Sequence, residues 1–592
     1  MKKFLINMSK ERKTIKIIEK SNEVETFNNK EIFLLFVGEL LNRKKILTML
    51  NLDDKTTLNI TLLLASYKKW GIKLLNMLEG QFSLIIHNKN TNTLYIAKDK
   101  IGIQPLYFTS MNNTISIGSH VKEFYKVDEI QLSINPNALA NYLQFGYILQ
   151  PQTIFKECYK VQSGEYITFD LIKNNKQKTK YWLLESIYNE KKIVQNESII
   201  LNTTHNLLQK SVEENRLTNN HGLSLSGGYD SSTLVAITQQ QSEKKIDTFT
   251  IGFHENTINE APHAKAISDY LGTNHHEYYF TAMDALKFIP KMSKVYDEPF
   301  ADHAASPTML TAKLLKEHNI KNLIAGDGGD EVFATAEDVH FFNKIATTPT
   351  FLKKLSSLPL EYIYIDKVPF LKNYNNLPKK LDKLKGVLNA KNIAHMIQVR
   401  NSIFLEKELK QHIKDYNQPI VTSFDAITFG EHSETVDEII GTYFKTTMTD
   451  GELVKSYAAM NHQGITLSTP FLNVNLIQYM AKVPASIKIK NGIKKYLLKE
   501  ISHLYLPKKL MDRPKCGFSI PLSSWMKNEL KDILYSQINK KRLDEDNIFN
   551  SSSIINIRNQ FYAGNEAYKY KLWRIFIFQL WYENFTININ KG

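Results

Sequence analysis

Cysteine is nearly absent from this sequence: Cys158 and Cys516 are the only two in 592 residues. Thiols so far apart offer neither a disulfide framework nor the paired spacing of a zinc site, and they suit a reducing compartment. Long apolar runs are missing as well. No stretch approaches the roughly 18 residues needed to span a bilayer, and the opening MKKFLINMSKERK turns charged before a signal-like segment develops. A cytoplasmic protein with no membrane partner is the expectation. The basic charge is not gathered either. A net charge of +15 comes from lysines spread through a chain equally rich in Asn and Ile, and no aromatic residues interleave with a basic run. Nucleic acid is therefore not an expected partner, although a nucleotide or an acidic substrate would use the same potential. What the chain does have is length and apolar content. At 592 residues and 43% hydrophobic it can build two or three domains.

The most informative stretch is His221 to Ala236, HGLSLSGGYDSSTLVA. Leu223 and Leu225 alternate into Ser226-Gly227-Gly228-Tyr229-Asp230-Ser231-Ser232 and then into an apolar run, a pattern of strand, glycine turn and helix start. Such a turn aims backbone N–H groups outward, its hydroxyls add donors, and the following helix dipole favours negative charge. Phosphate would repel Asp230 unless a cation lay between them, so the pattern implies Mg²⁺ shared by Asp230 and a polyphosphate. A Ser/Gly loop that merely caps a helix is the other reading. A second acidic turn lies downstream, Leu323-Ile324-Ala325-Gly326-Asp327-Gly328-Gly329-Asp330-Glu331. Three crowded carboxylates there need a balancing cation, or else an exposed position.

SGGYDSS resembles the SGGxDS loop of ATP pyrophosphatases, and no Gly-Lys-Ser/Thr follows the glycines as it would in a Walker loop. With Asp297-Glu298-Pro299, Gly326 to Glu331, and Lys495 followed by Arg513-Pro514-Lys515-Cys516-Gly517-Phe518, the order of segments resembles the asparagine synthetase family over roughly residues 200 to 530. That resemblance implies ATP contacts at Leu225, Ser226, Gly227, Gly228, Asp230, Ser231, Ser232, Ile251, Ala325 and Gly326. It also implies Mg²⁺ ligands at Asp230 and Asp330, an acid or base at Asp327, and a cation at Lys495 that offsets developing charge. Arg513 and Lys515 would be structural or phosphate-facing. The family's Leu-Glu-x-Arg reads Ile465-Thr466-Leu467-Ser468 here, a departure that removes a carboxylate and a guanidinium.

The first third of the chain holds short β-like runs, Phe33 to Val37, Phe82 to Ile86, Leu94 to Ala97, Ile115 to Ile117 and Tyr166 to Phe169, separated by turn signals. Stacked antiparallel sheets follow from that spacing. Lys98-Asp99-Lys100-Ile101-Gly102-Ile103-Gln104-Pro105-Leu106-Tyr107 resembles the glutaminase domain of glutamine-hydrolysing asparagine synthetases. The family's terminal cysteine nucleophile is replaced by Lys2, its Arg-Gly-Pro-Asp clamp has no counterpart, its Asn-Gly-Glu reads Val37-Gly38-Glu39, and Lys55 to Asn59 stand where it has Ser-Asp-x-Glu. A sandwich retained for packing, without glutamine hydrolysis, is expected.

The fold expected is thus an α+β amino-terminal sandwich, Ntn-hydrolase-like and degenerate, over residues 1–185. A parallel α/β ATP-pyrophosphatase domain, adenine nucleotide α-hydrolase-like, spans 195–592 with a mainly helical insertion at about 336–440. The resemblance implies an ATP-dependent ligase that adenylates a small-molecule or peptide carboxylate and couples it to an amine. The amine could be an external one or one within the same substrate, as in β-lactam synthetases and lasso peptide macrolactam synthetases; the lasso type is the leading version and would bring a leader-peptide protease as partner. Ammonia as the amine, an asparagine synthetase, is one alternative. A non-catalytic scaffold is another, and a tRNA-modifying ATP pyrophosphatase would share the first loop alone.

Overall fold

The computed structural model describes residues 1–592 except 55, 112, 255–258, 336–338, 350–376, 417–420, 513–519 and 590–592. Its amino-terminal part is built from β1 (Phe4–Ser9), β2 (Thr14–Lys20), β3 (Glu25–Asn28), β4 (Ile32–Leu40), β5 (Gly80–Asn88), β6 (Thr93–Lys98), β7 (Tyr107–Met111), β8 (Thr114–Gly118), β9 (Tyr159–Lys160), β10 (Glu165–Asp170) and β11 (Asn175–Lys180). Antiparallel pairing gives two sheets, in the orders β2-β1-β8-β7-β9 and β11-β10-β6-β5-β4-β3. Each apolar run singled out in the sequence lies in one of these strands.

Alternation along β4 explains the layers. Phe33, Leu35 and Val37 point into the core between the two sheets with Ile6, Phe108 and Ile117. Leu34 and Phe36 point the other way, onto helices Arg43–Leu50 and Asn59–Trp70. A strand apolar on both faces must be covered on both. The helical cover is the part of this region that strand periodicity did not reveal. On the smaller sheet, Leu5 and Tyr107 face outward into a core that also holds Phe249, Phe280 and Trp573, so the sandwich and the rest of the chain share one apolar interior.

The second part is a wholly parallel sheet of β12 (His221–Ser224), β13 (Asp247–Gly252), β14 (Asn274–Tyr279), β15 (Asn322–Ile324) and β16 (Thr466–Ser468), in the order β14-β13-β12-β15-β16. Helix Tyr229–Gln240 follows β12, as the glycine-turn pattern predicts, and helix Ala261–Leu271 follows β13. The chain runs from β12 outward to β14, then returns to β12's other side at β15. Ligands of open parallel sheets bind where the order reverses in this way.

Helix Ala305–Glu317 leads into β15. Pro307 lies in its first turn, where a missing N–H costs nothing because no carbonyl precedes it. His205, on helix Glu197–Asn215, lies 2.6 Å from Tyr505 Oη and serves packing. Residues 339–443 contribute helices Val339–Thr347, Leu377–Leu388, Ile393–Asn401, Glu406–His412 and Thr435–Tyr443, several of them sharing a small core with Phe145 and Leu149 of the amino-terminal part. Helix Lys569–Ile589 closes the chain, burying Trp573 and Trp581. Among the described residues no helix is long and apolar enough to cross a membrane.

Candidate active site

The loop after β12 adopts the form its glycines permit. Gly227 has φ +77°, a left-handed conformation that side chains rarely take, and it swings the chain into helix Tyr229–Gln240. Ser231 Oγ accepts from Ser226 N at 3.1 Å and lies 3.1 Å from Ser226 Oγ, and Ser226 Oγ accepts from Gly228 N at 3.3 Å. The serines expected to offer their hydroxyls outward thus brace the loop among themselves. Leu225 is buried, its N–H bonded to Phe249 O at 2.9 Å, and Ser232 is fully buried. Ile251, on β13, is half-buried. Asp230 occupies the first helical turn.

The acidic turn after β15 closes onto Asp230. Ala325 N donates to Ser468 O at 2.9 Å, holding the turn to β16. A Cβ on Gly326 would lie 3.2 Å from Asp230 Cβ, and one on Gly329 would lie 2.3 Å from Asp230 Oδ1. No side chain fits at Gly329, so glycine there is what lets the two acidic loops meet.

Lys495 joins them. Its Nζ lies 2.5 Å from Asp230 Oδ2 and 2.6 Å from Asp330 Oδ1. The side chain is 8% exposed, and although burial works against its charge, the two carboxylates hold its pKa above the ordinary lysine value. The backbone of Lys495 is left-handed, φ +55°, at the start of helix Tyr496–His503. A non-glycine residue held so costs about 1 kcal/mol or more, a strain found most often at functional positions.

Asp327 faces elsewhere. It accepts from Ser456 Oγ at 3.0 Å, and its carboxyl is pushed up to about 6, by burial first and then by Glu452. Glu331 is pushed up to about 8 by burial and by Asp330. Glu452 also pairs with Lys455, whose Nζ lies 3.0 Å from Asp302 Oδ2. Glu452 ends the π-helical segment Phe444–Glu452, and Lys455 and Ser456 lie in helix Leu453–His462, which continues it; none of the three carried a signal in the sequence. Tyr229, the variable residue of the loop, was missed as well. Its hydroxyl donates to Asp512 Oδ1 at 2.7 Å and Lys499 Nζ lies 5.1 Å over its ring, so it ties the loop to the helix that carries Lys495.

Two expected contributors stand apart. Asp297 and Glu298 turn toward the sandwich: Val121 N donates to Asp297 and Ile154 N to Glu298 Oε1 at 2.7 Å, while Lys160 pairs with Glu298 at 2.9 Å. Ser468 is buried in β16, its hydroxyl accepting from Asn322 Nδ2 at 2.8 Å. Arg513 and Lys515 lie outside the described residues.

Two crossed acidic loops at the switch point of a parallel sheet, with a lysine between them, invite comparison with known proteins. The asparagine synthase family model matches residues 203–583, and a glutamine amidotransferase domain model matches residues 6–182. The chain belongs to the asparagine synthase family. Asparagine synthetase [glutamine-hydrolyzing] 1 of Bacillus subtilis is 25% identical over 583 residues, covering 97% of this chain and 88% of that protein. Putative asparagine synthetase [glutamine-hydrolyzing] 2 of Methanocaldococcus jannaschii is 30% identical over 371 residues, 61% of this chain and 68% of that one. Membership in this asparagine synthase family makes the chain a carbon–nitrogen ligase that uses ATP and releases AMP and pyrophosphate.

Proposed function

We propose that this ligase activates a carboxylate other than free aspartate and couples it to an amine that glutamine does not supply. The observation that carries the ATP-dependent half is the convergence of Asp230, Asp330 and Lys495 beyond β12 and β15. Two carboxylates that already share one cation fit a hard divalent ion, and Asp230 with Asp330 would hold Mg²⁺, which would neutralise the polyphosphate when bound. The cradle of Ser226, Gly227, Gly228 and Ser231 takes the phosphates and the buried Leu225, with Ile251, Ala325 and Gly326, borders the base. The substrate carboxylate attacks the α-phosphorus of ATP, the bond to the β-phosphate bridging oxygen breaks, and pyrophosphate leaves. The amine then adds to the acyl-adenylate carbonyl and AMP departs. Asp327 accepts the proton the amine must lose, and Lys495 offsets charge as the tetrahedral centre forms and collapses.

Loss of glutamine hydrolysis is part of the same proposal. Lys2 stands at the entry to β1, where the family has its nucleophile, and its Nζ is tied to Glu39 Oε1 at 2.7 Å. Both cysteines lie far along the chain. With no guanidinium at Ser468, a free α-carboxylate loses a partner, which favours a peptide or other unusual carboxylate. An amine within that substrate, giving a macrolactam of the lasso type, is the specific version, and a protease acting on the precursor would be its partner. Synthesis of asparagine from ammonia is the second reading, since Asp327 retains the family's acid.

The test is ATP–pyrophosphate exchange with three substrate sets: aspartate with ammonium, aspartate with glutamine, and peptides carrying a side-chain carboxylate and a free amino terminus. Exchange driven by peptide with loss of one water from its mass supports the proposal. Asparagine formed from ammonium selects the second reading, and glutamate released from glutamine overturns the loss of hydrolysis. An absence of exchange with all three sets overturns the proposed choice of carboxylate.

A further inference from the structure

Two elements far apart in the chain bracket the phosphate cradle: the glycine loop that enters helix Tyr229–Gln240, and helix Tyr496–His503, which Lys495 begins. Their spacing decides whether a polyphosphate can meet both. The pairs of Lys495 with Asp230 and Asp330 hold that spacing in the absence of ligand. An entering cation and polyphosphate would exchange those same pairs, so a contact outside them is what can keep the helix in register while they do.

Tyr229 supplies such a contact. Its hydroxyl donates to Asp512 Oδ1 at 2.7 Å and lies 3.4 Å from His503 Nε2. Its ring meets the His503 ring edge to face, with 5.7 Å between centroids, and Lys499 Nζ lies 5.1 Å over it. Lys495, Lys499 and His503 recur every four residues and so share one face of their helix, and the face that meets Asp230 at Lys495 continues over Tyr229. Burial first, and then Asp512, holds the phenol above its ordinary pKa, which keeps it a donor. None of these partners is Asp230, Asp330 or Lys495, so the contact survives an exchange of ions among those three. Asp512 is exposed, and its bond to Tyr229 joins the two elements without being part of the core.

We propose that Tyr229 is a positioning residue for the pyrophosphate half of ATP. Bonded to Asp512, it holds the Lys495 helix at the distance from the glycine loop that the β- and γ-phosphates, and the pyrophosphate they become, require. The inference rests on the assignment of ATP to this loop and adds the residue that sets its grip on the two outer phosphates. AMP has neither of them and should not sense the change.

The test is calorimetric titration of the full chain, with Mg²⁺ present, by pyrophosphate, by α,β-methylene-ATP, whose α–β bridge cannot be cleaved, and by AMP. None of the three needs the unidentified carboxylate. Tyr229→Phe should weaken pyrophosphate and the ATP analogue by about fivefold or more, the effect of one partly exposed charge-assisted hydrogen bond, and leave AMP within about twofold. Unchanged AMP binding also shows that the variant has kept its fold. In an Asp512→Ala background the hydroxyl has already lost its acceptor, and there Tyr229→Phe should change either affinity by less than about twofold. Tyr229→Leu, which removes the ring as well, should weaken both phosphate ligands further. Equal pyrophosphate affinity in the parent and Tyr229→Phe, a matching loss for AMP, or an undiminished effect in the Asp512→Ala background overturns the positioning role. A parent chain that binds neither pyrophosphate nor the analogue overturns the ATP assignment beneath it, and the positioning role with it.

Discussion

Asp99, in the turn just after β6, and Asp230, in the first turn of the helix that follows β12, each lie close beyond the end of a strand, and each is satisfied in a different way. Asp99 is fully buried and receives Ile101 N at 3.0 Å, Gly102 N at 2.5 Å and Ile103 N at 3.2 Å on Oδ1, with Gln104 N at 3.1 Å and Phe82 N at 3.2 Å on Oδ2. Every partner is main chain and cannot leave without the turn unfolding. Asp230 keeps a quarter of its side chain exposed and pairs with Lys495. Its partner is a side chain on another element, which a competing cation can replace. The Lys98-to-Tyr107 run therefore persists as a structural device whether or not the sandwich hydrolyses anything, whereas the second loop retains an exchangeable charge that chemistry can use.

The largest effect should come from the exchangeable site. Asp230→Asn is expected to lower pyrophosphate exchange by about 10²-fold or more while leaving the melting temperature near that of the parent. Full exchange in this variant would break the comparison.

Asp99→Ala should do the reverse. Five N–H groups lose their acceptor, and roughly 3 kcal/mol or more of stability is expected to go with them, read as a lower urea midpoint. Exchange per folded molecule should stay within about twofold.

Asp327→Asn should slow amide formation by about 10²-fold and adenylate formation less, read by comparing exchange with product release. The pH profile gives a sharper measure. The carboxyl of Asp327 is pushed up to about 6, so as a base it is lost as pH falls through that value, and the amide step should decline below about pH 6. Glu452→Gln removes a neighbouring negative charge and should move that limb to lower pH. A limb that does not move would separate Asp327 from the proton transfer.

The smallest effect belongs to Lys2→Ala. Its ion pair with Glu39 is partly exposed, and such pairs contribute about 0–1 kcal/mol. Stability should barely change, and glutamate should be released from glutamine by neither form.

Much of this architecture was legible in the residues alone. Alternating runs such as Phe33 to Val37 and Phe82 to Ile86 are strands because each fills a pleat with apolar residues, and SGGYDSS is a loop entering a helix because only Gly227 takes the left-handed turn. These are properties of a few adjacent residues, which local sequence specifies. The order of the acidic loops, and hence the family, was legible for the same reason. What lies far apart in the chain was not. That Ser226 and Ser231 bond each other, that Asp297 and Glu298 turn to the sandwich, that Ser456 holds Asp327 and that Ser468 is spent on Asn322 follow from how strands and helices stack. Lys495 shows both sides: sequence marks it as a cation of the site, but its position between Asp230 and Asp330 exists only because β12 and β15 pair and Gly329 has no side chain to hold their loops apart.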